Sequence, residues 1–400
     1  MAESVCRVRG NLLHMGIYTK AGIALVAALI LSFAATPAVK LFAQFVGAID
    51  VPKDARRIHK QPLPRLGGLA IFIGFILSVV LLADINRQVQ GILLGAVIIV
   101  TLGVIDDIIQ LPALAKFFVQ IIAALVAIYH GVVIEVLSNP IVFSESEYLS
   151  FGLFSIPVTV LWIVAITNSV NLIDGLDGLA VGVSTISSIV MLVIAMMVSE
   201  ENVAVIIAAL AGACLGFLPY NFNPAKIFMG DTGALLLGYV LATISILGLF
   251  KSYAVVSFAA PFLVLGLPLF DTSFAFLRRL LSGKNPMSPD RGHLHHRLID
   301  MGMSQKRAVA ILYTVSGLLG LGAVFMTTSA EIRVVVLAAT ILVAAGFVIF
   351  LYRHRQNGAH DCGTNNDEEP EDSEPEAAYE DAEPGETESA APDKERDTAE

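Results

Sequence analysis

Two adjacent carboxylates, Asp106 and Asp107, follow an apolar run in the segment GVIDDIIQL. Neighbouring acids repel each other and are costly to bury at the edge of a hydrocarbon layer, so one of them must take up a proton or share a cation. The pair is therefore a candidate metal ligand and proton acceptor. A helix end that stops in water is the alternative, because Asp-Asp by itself is a weak signal.

A second segment, NSVNLIDGLDGLA, carries four oxygen-bearing side chains at three-residue spacing: Asn168, Asn171, Asp174 and Asp177. This spacing keeps side chains near one stripe of a helical or tightening turn. Carboxylate and amide oxygens are ligands that suit Mg²⁺. Helix capping is the alternative, but four such residues in ten positions favour a ligand site.

The segment PYNFNPAKIFMGDTGALLLG interrupts two apolar runs with prolines and a Gly-Asp-Thr-Gly break. Asp231 in this break can cap a helix or project a carboxylate towards a metal-bound diphosphate. Gly230 and Gly233 permit a close approach of the backbone to a ligand. We therefore predict a structured re-entry here and not a flexible linker.

The last chemical segment, DRGHLHHRL, contains three histidines and an arginine: His293, His295, His296 and Arg297. Guanidinium and imidazolium groups bind phosphate, whereas neutral imidazoles bind transition metals. Phosphate is favoured, since no cysteine accompanies the histidines and the acids elsewhere prefer a hard cation.

Membrane helices must position these residues. Of 400 residues, 56% are hydrophobic and only 15% are charged, far from the composition of a soluble domain. Membrane helices need about 20 mostly apolar residues. Eleven stretches qualify: 21–39, 66–83, 89–105, 117–134, 152–170, 179–198, 203–219, 233–250, 252–277, 308–327 and 334–351. The runs are continuous and not alternating, so an all-α polytopic membrane protein is predicted and a β-barrel is not. Pro261 and Pro268 should bend the ninth helix.

Lys and Arg residues orient these spans. One set of loops collects 16 of them and the opposite set, with the first residues, collects six. Because cytoplasmic loops carry the excess of positive charge, we predict the N-terminus outside and the C-terminus inside. Every chemical segment described above then lies on the cytoplasmic side, so a cytosolic site at the membrane surface is expected.

The two ends of the chain differ from its body. Residues 361–400 carry a net charge of −15, which leaves +5 for the rest. We predict an N-terminal extension at 1–16, a transmembrane catalytic domain at 17–352 and an acidic, disordered cytoplasmic tail at 353–400. The three cysteines lie far apart, so neither a disulfide framework nor a zinc site is predicted. Nothing in the sequence indicates nucleic-acid binding.

The order GVIDD, NLIDGLDGLA, NFNPAKIFMGDTG and DRGHLHHRL resembles the bacterial polyprenyl-phosphate N-acetylhexosamine-1-phosphate transferases, from roughly Gly16 to Tyr352. GHLHHR is similar to the GlcNAc-1-phosphate transferases of the WecA/TagO type, which begin teichoic acid, O-antigen or arabinogalactan linkage synthesis in cell-wall assembly. The branch that makes lipid I, phospho-N-acetylmuramoyl-pentapeptide transferase, typically has three consecutive histidines, a run that Leu294 interrupts here.

The resemblance implies transfer of GlcNAc-1-phosphate from UDP-GlcNAc, or another UDP-N-acetylhexosamine, to undecaprenyl or another polyprenyl phosphate. It implies Mg²⁺, with Mn²⁺ as a substitute, at the cytoplasmic face of the cell membrane, and a homodimer as the quaternary state. An ion-coupled transporter is the rival from another class, but its polar residues should lie near mid-span and not at one surface.

The resemblance also implies roles for single residues. Asp231 and Asn171 would bind the metal with Asp107 nearby, while Asp106 would act as a base or orient the lipid phosphate. Lys116 would contact the diphosphate, Asp177 would lie beside uracil and Asn221 near the substrate. His293, as a catalytic residue, with His295 and Arg297 would hold phosphate or the acetamido sugar. Asp174 and His296 complete the predicted substrate-binding set.

Overall fold

The computed structural model describes residues 16–50, 62–138, 148–248, 256–282 and 293–327. The described residues are mainly helical and form twelve α-helices: α1 (Ile17–Phe45), α2 (Gly67–Leu82), α3 (Arg87–Ile109), α4 (Ala113–Tyr129), α5 (Ser155–Leu172), α6 (Leu179–Met197), α7 (Glu201–Asn221), α8 (Gly230–Gly248), α9 (Val256–Val264), α10 (Gly266–Leu281), α11 (Leu294–Asp300) and α12 (Gln305–Met326). The predicted all-α fold class is confirmed.

Two short antiparallel hairpins complete the described part of the chain. β1 (Ile49–Asp50) pairs with β2 (Leu63–Pro64), and β3 (Val136–Ser138) pairs with β4 (Tyr148–Ser150). A single 3₁₀ turn, Gly152–Phe154, precedes α5. The first hairpin matters for the site, because it delivers the chain to α2 beside the start of α8.

Seven of the described helices are long and apolar enough to cross a membrane, and α2 and α4 are shorter apolar helices. Their backbone polar groups are satisfied within each segment, as a lipid environment requires. The total of eleven spans and the orientation stay predictions. The predicted span 334–351, the acidic tail and all but the last residue of the extension at 1–16 lie outside the described residues.

Helix α8 is the central element, with every residue from Thr232 to Gly248 buried. Small residues allow close packing elsewhere in the bundle. A Cβ on Gly212 of α7 would lie 2.0 Å from the Leu25 carbonyl oxygen of α1, and a Cβ on Gly216 would lie 2.2 Å from that of Leu29. Backbones this close are typical of membrane helix packing, so α1 and α7 are held firmly together.

The ninth predicted span differs from expectation. A single bent helix over 252–277 was predicted, but its described part is two helices, α9 and α10, separated at Leu265. Pro268 has no N–H to donate to the Val264 carbonyl, which instead accepts a hydrogen bond from the Ser187 hydroxyl at 2.8 Å. The hydroxyl of a residue on another helix thus satisfies the carbonyl that the proline leaves without an N–H partner.

One end of the bundle gathers the segments that were predicted to lie outside. Lys20 is buried and pairs with Glu201 at a polar cavity of about 540 Å³, whose lining also includes Asp84 and Glu200. The start of α1 and the loops before α3 and α7 therefore share one end, as the alternation of the predicted loops requires. The chemical segments lie at the other ends of these helices.

Candidate active site

Lys116 joins two of the predicted carboxylates. Its Nζ lies 2.9 Å from Oδ2 of Asp106 and 2.9 Å from Oδ2 of Asp231. Asp106 ends α3, Lys116 is in the first turns of α4 and Asp231 is at the start of α8. The other oxygen of Asp106 accepts a hydrogen bond from the Leu111 amide at 2.7 Å, which fixes the turn between α3 and α4. One ammonium thus holds three helix ends together.

Asp107 caps helix α8. Its Oδ1 accepts a hydrogen bond from the Asp231 amide at 3.0 Å, and its Oδ2 accepts bonds from the Thr232 amide at 3.0 Å and hydroxyl at 2.7 Å. A carboxylate at a helix N-terminus satisfies unpaired amides and interacts favourably with the helix dipole. The contacts of Asp107 are those of a structural anchor, and its role beside a metal stays a prediction.

Arg65 was predicted only as one of the cytoplasmic positive charges, yet it lies beside the acidic residues. Its Nε lies 3.4 Å from Oδ1 of Asp107, so it adds a second cation beside Lys116. The amides of Gly67 and Gly68 donate to the Phe228 and Met229 carbonyls at 2.9 and 2.8 Å. The signal in the sequence was PRLGG, where two adjacent glycines allow close packing against the Gly-Asp-Thr-Gly segment.

Gly230 is the point where these segments converge. Its φ of +73° is in the left-handed region, and a Cβ there would lie 2.2 Å from the Arg65 carbonyl and 2.4 Å from Oδ2 of Asp107. Only glycine fits without strain. Gly230 is therefore in close contact with the protein's own backbone and carboxylate, while its predicted approach to a ligand stays a prediction.

The four residues of the NSVNLIDGLDGLA segment do not act as one stripe. Helix α5 ends at Leu172, so only Asn168 and Asn171 of the four lie within the helix. The Asn168 amide pairs with Gln120 of α4 at 2.6 Å. Asp177 accepts hydrogen bonds from the Asn223 side chain at 2.9 Å and from the Ala225 amide at 3.1 Å. Asp174 and Asp177 thus lie in the turns that follow α5, and their predicted role as ligands stays a prediction.

Asp174 lies near the carboxylates of Asp107 and Asp231, and these three residues together with Asp106 are called the acidic cluster. It lies in the loop after α5, where burial and the carboxylates of Asp231 and Asp107 raise the pKa of its carboxyl group well above the usual range. Such a group binds a cation or a proton more readily than an exposed aspartate does. Asn171 is partly buried at the end of α5.

Asn221 holds two loops together inside the protein. It is 2% exposed, its Oδ1 accepts from the Gly178 amide at 3.1 Å, and its Nδ2 donates to the Ile227 carbonyl at 3.1 Å. The Tyr313 hydroxyl donates to the Gly178 carbonyl at 2.5 Å. These contacts fix the positions of two loops: residues 173–178, called the acidic loop, and the loop before α8. Direct contact of Asn221 with substrate stays a prediction.

The histidine cluster packs against the acidic loop. The ring centroids of His293 and His295 lie 5.8 Å apart, and the two rings are nearly parallel. The ring centroid of His296 lies 4.3 Å from that of His295. A Cβ on Gly175 would lie 2.3 Å from Nε2 of His295. Arg297 lies over the Phe274 ring at 5.2 Å. Because Gly175 follows Asp174 directly, the fold brings the histidine and acidic segments together into one site.

Comparison with known proteins shows the family of this chain. Residues 89–249 match the profile of glycosyl transferase family 4. A probable undecaprenyl-phosphate N-acetylglucosaminyl 1-phosphate transferase of Bacillus subtilis is 40% identical over 309 residues, which cover 77% of this chain and 85% of the relative. The chain belongs to glycosyl transferase family 4.

Two further relatives match over similar lengths. A decaprenyl-phosphate N-acetylglucosaminephosphotransferase of Mycobacterium tuberculosis is 36% identical over 358 residues, 81% of this chain and 88% of the relative. A phospho-N-acetylmuramoyl-pentapeptide-transferase of Staphylococcus saprophyticus is 32% identical over 329 residues, 76% of this chain and 98% of the relative. The family segment 89–249 contains the acidic cluster, whereas the histidine cluster follows it.

The donor set of this family 4 member fits a hard cation. Within the described residues, no group of three or more His, Cys, Asp or Glu side chains is spaced as a preformed metal site. Mg²⁺, however, is usually bound through one or two carboxylates, several waters and substrate phosphates. The ammonium of Lys116 between Asp106 and Asp231 marks a place that attracts positive charge. The oxygen donors around it therefore fit a hard cation such as Mg²⁺.

The buried imidazole of His295 should make the stability of this family 4 member sensitive to acid. Burial, and after it the neighbouring His296, lowers the pKa of His295 to about 4. The neutral ring stabilises the fold above the unfolded pKa of about 6.5, and this contribution is lost as the pH falls towards 4. Between pH 7.5 and pH 5 the loss should be about 2 kcal/mol.

Thermal unfolding followed through the single tryptophan, Trp162, measures this effect. Melting temperatures of wild type and His295→Gln would be compared from pH 7.5 to pH 5. The variant should show a shallower fall, because its amide does not titrate. Equal slopes in the two proteins would contradict the assignment of His295 as a buried neutral imidazole.

Proposed function

We propose that this chain transfers GlcNAc-1-phosphate from UDP-GlcNAc to a polyprenyl phosphate, giving polyprenyl-diphosphate-GlcNAc and UMP. The observation that carries the proposal is the junction of Asp106, Lys116 and Asp231 at one end of the bundle, within reach of the acidic loop and the histidine cluster. The names of the Bacillus and Mycobacterium relatives support the same activity. The cytoplasmic membrane face is proposed from the distribution of positive charge.

The sugar nucleotide is proposed to be UDP-GlcNAc and not the lipid I precursor. The relatives named as GlcNAc-1-phosphate transferases of Bacillus and Mycobacterium are 40% and 36% identical to this chain. The relative named for the muramoyl-pentapeptide reaction is 32% identical. Leu294 in the histidine segment favours the same choice. The lipid I reaction remains the second candidate, since the relative named for it also matches most of this chain.

Charge determines the proposed mechanism, because two anions must meet. A phosphate oxygen of the polyprenyl phosphate attacks the β-phosphorus of UDP-GlcNAc. The new P–O bond forms as the bond from β-phosphorus to the bridging oxygen breaks, and UMP leaves with that electron pair. Lys116 and Arg65 balance negative charge on the phosphates, while Asp106 orients the lipid phosphate or accepts its proton.

Metal and substrate contacts extend this proposal. Asp231 and Asn171 would hold Mg²⁺, with Asp107 nearby, and the bound ion supplies positive charge to the diphosphate oxygens. Asp177 would lie beside uracil. The other residues proposed to contact the substrate are Asp174, Asn221, His293, His295, His296 and Arg297. The apolar lipid tail is proposed to lie beside α9 and α10, where the chain breaks at Leu265.

A transfer assay on purified protein in detergent tests the proposal. Polyprenyl phosphate, radiolabelled UDP-GlcNAc and Mg²⁺ should give label in the organic phase, and EDTA should abolish it. Product from UDP-muramoyl-pentapeptide alone would move the chain to the lipid I reaction. No lipid product from either donor would contradict the transferase proposal and favour the transporter.

A further inference from the structure

Asp271 is a buried carboxylate that none of the sequence motifs contains. It lies on α10 and is 3% exposed. Its Oδ2 lies 2.9 Å from Nδ1 of His293, and its Oδ1 accepts a hydrogen bond from the Leu294 amide at 2.7 Å. Both oxygens are thus engaged by consecutive residues of the histidine segment, which lies 22 positions further along the chain.

This contact determines the state of the His293 ring. An ionised carboxylate only accepts hydrogen bonds, so Nδ1 of His293 must carry the hydrogen that points at Asp271. Nε2 is then the ring nitrogen left for other interactions, and the second bond to Leu294 prevents the ring from shifting along α10. A carboxylate that fixes the tautomer of a histidine is a recurring device in catalytic and metal sites.

The position of His293 matters because its ring packs against His295, which in turn contacts the loop after α5. His293 is 5% exposed and lies nearly parallel to His295, whose Nε2 packs against Gly175 beside Asp174. A rotation of the His293 ring would therefore disturb the whole histidine cluster. Through His293 and His295, Asp271 connects α10 to the loop after α5 that carries Asp174.

We propose that Asp271 is a positioning residue that holds His293 in the Nδ1–H form and so presents the Nε2 lone pair to a hydroxyl or N–H group of the sugar nucleotide. The proposal rests on the transferase function proposed above. It assigns Asp271 no contact with substrate, since Asp271 acts through His293. A simple capping role for α11 is the competing explanation, because Leu294 is the first residue of that helix.

Asp271→Asn separates the two explanations. The asparagine carbonyl can still accept from the Leu294 amide, but its NH₂ group then faces Nδ1 and favours the opposite tautomer of His293. In a comparable aspartate-to-asparagine change the wrong tautomer lowers kcat by about 10⁴-fold with the geometry intact. We expect kcat to fall at least about tenfold, with the KM for UDP-GlcNAc changed much less.

A double-mutant cycle provides the decisive kinetic readout. If Asp271 acts through His293, Asp271→Asn should cost little more in a His293→Gln background, because the two effects are not additive. Thr272→Val is the matched control. It is adjacent on α10, its hydroxyl is buried with no hydrogen-bond partner among the described residues, and its loss should leave kcat unchanged. Full additivity, or wild-type kcat in Asp271→Asn, would overturn the proposal.

Nitrogen NMR of histidine-labelled protein tests the tautomer without activity. The chain has eight histidines, and the signal missing from His293→Gln identifies His293. Wild type should show a protonated Nδ1, and Asp271→Asn a protonated Nε2. If wild-type His293 lacks hydrogen on Nδ1, the proposal is wrong even where the variant fails to fold. Absence of lipid product from wild type would instead reject the proposed function and leave the tautomer result standing.

Discussion

Asp231→Asn should lower the rate of lipid-linked product formation by about 10²–10³-fold, the range observed when one preorganised electrostatic group is removed from a reaction site. The substitution keeps the size of the side chain and the Asp231 amide that donates to Asp107 at 3.0 Å. It removes the negative charge that pairs with Lys116 at 2.9 Å. The loss therefore reports on charge at the proposed metal-binding position and not on the packing of α8.

The measurement is kcat at saturating UDP-GlcNAc and polyprenyl phosphate, together with the melting temperature. Asp84→Asn is the matched control, because it makes the same chemical change on an exposed carboxylate at the opposite end of the bundle. It should keep wild-type activity. If Asp231→Asn retained activity within a few-fold of wild type, Asp231 would not be the central acid of the site.

Gly68→Ala should destabilise the protein by about 3 kcal/mol or more, at the upper end of the usual cost of overpacking. A Cβ on Gly68 would lie 2.0 Å from the Gly233 nitrogen and 2.2 Å from its Cα. These are backbone atoms of α8, so no side-chain rotation can relieve the clash. The same displacement would move Asp231, two residues before Gly233, and reduce transfer activity even at temperatures where the protein stays folded.

Thermal unfolding through Trp162 and activity at low temperature measure the two effects. Gly22→Ala is the matched control, since Gly22 is also inside a helix but an added Cβ there has no atom within 4 Å. That variant should be neutral or slightly more stable, because alanine favours the helix by about 1 kcal/mol. Equal behaviour of the two variants would contradict the close contact between α2 and α8.

The order of helices could be read from the sequence because each span is a local property. An apolar run of sufficient length must become a helix in lipid, whatever its neighbours are. The polar segments at Asp106, Asp174, Asp231 and His293 were recognised in the same way, from residue type and short spacing. Their common end followed from the alternation of loops, since successive spans must reverse direction.

The pairing of these residues was decided only by the tertiary structure. Asp107 caps a helix that begins more than a hundred positions later, Arg65 joins the acidic cluster from before α2, and Asp271 holds His293 from a helix without a motif. Such contacts depend on which helices pack side by side, and spacing along the chain contains no information about that. The point where the NSVNLIDGLDGLA segment leaves the helix was likewise decided by the fold, since α5 ends at Leu172 and the turns after it carry Asp174 and Asp177.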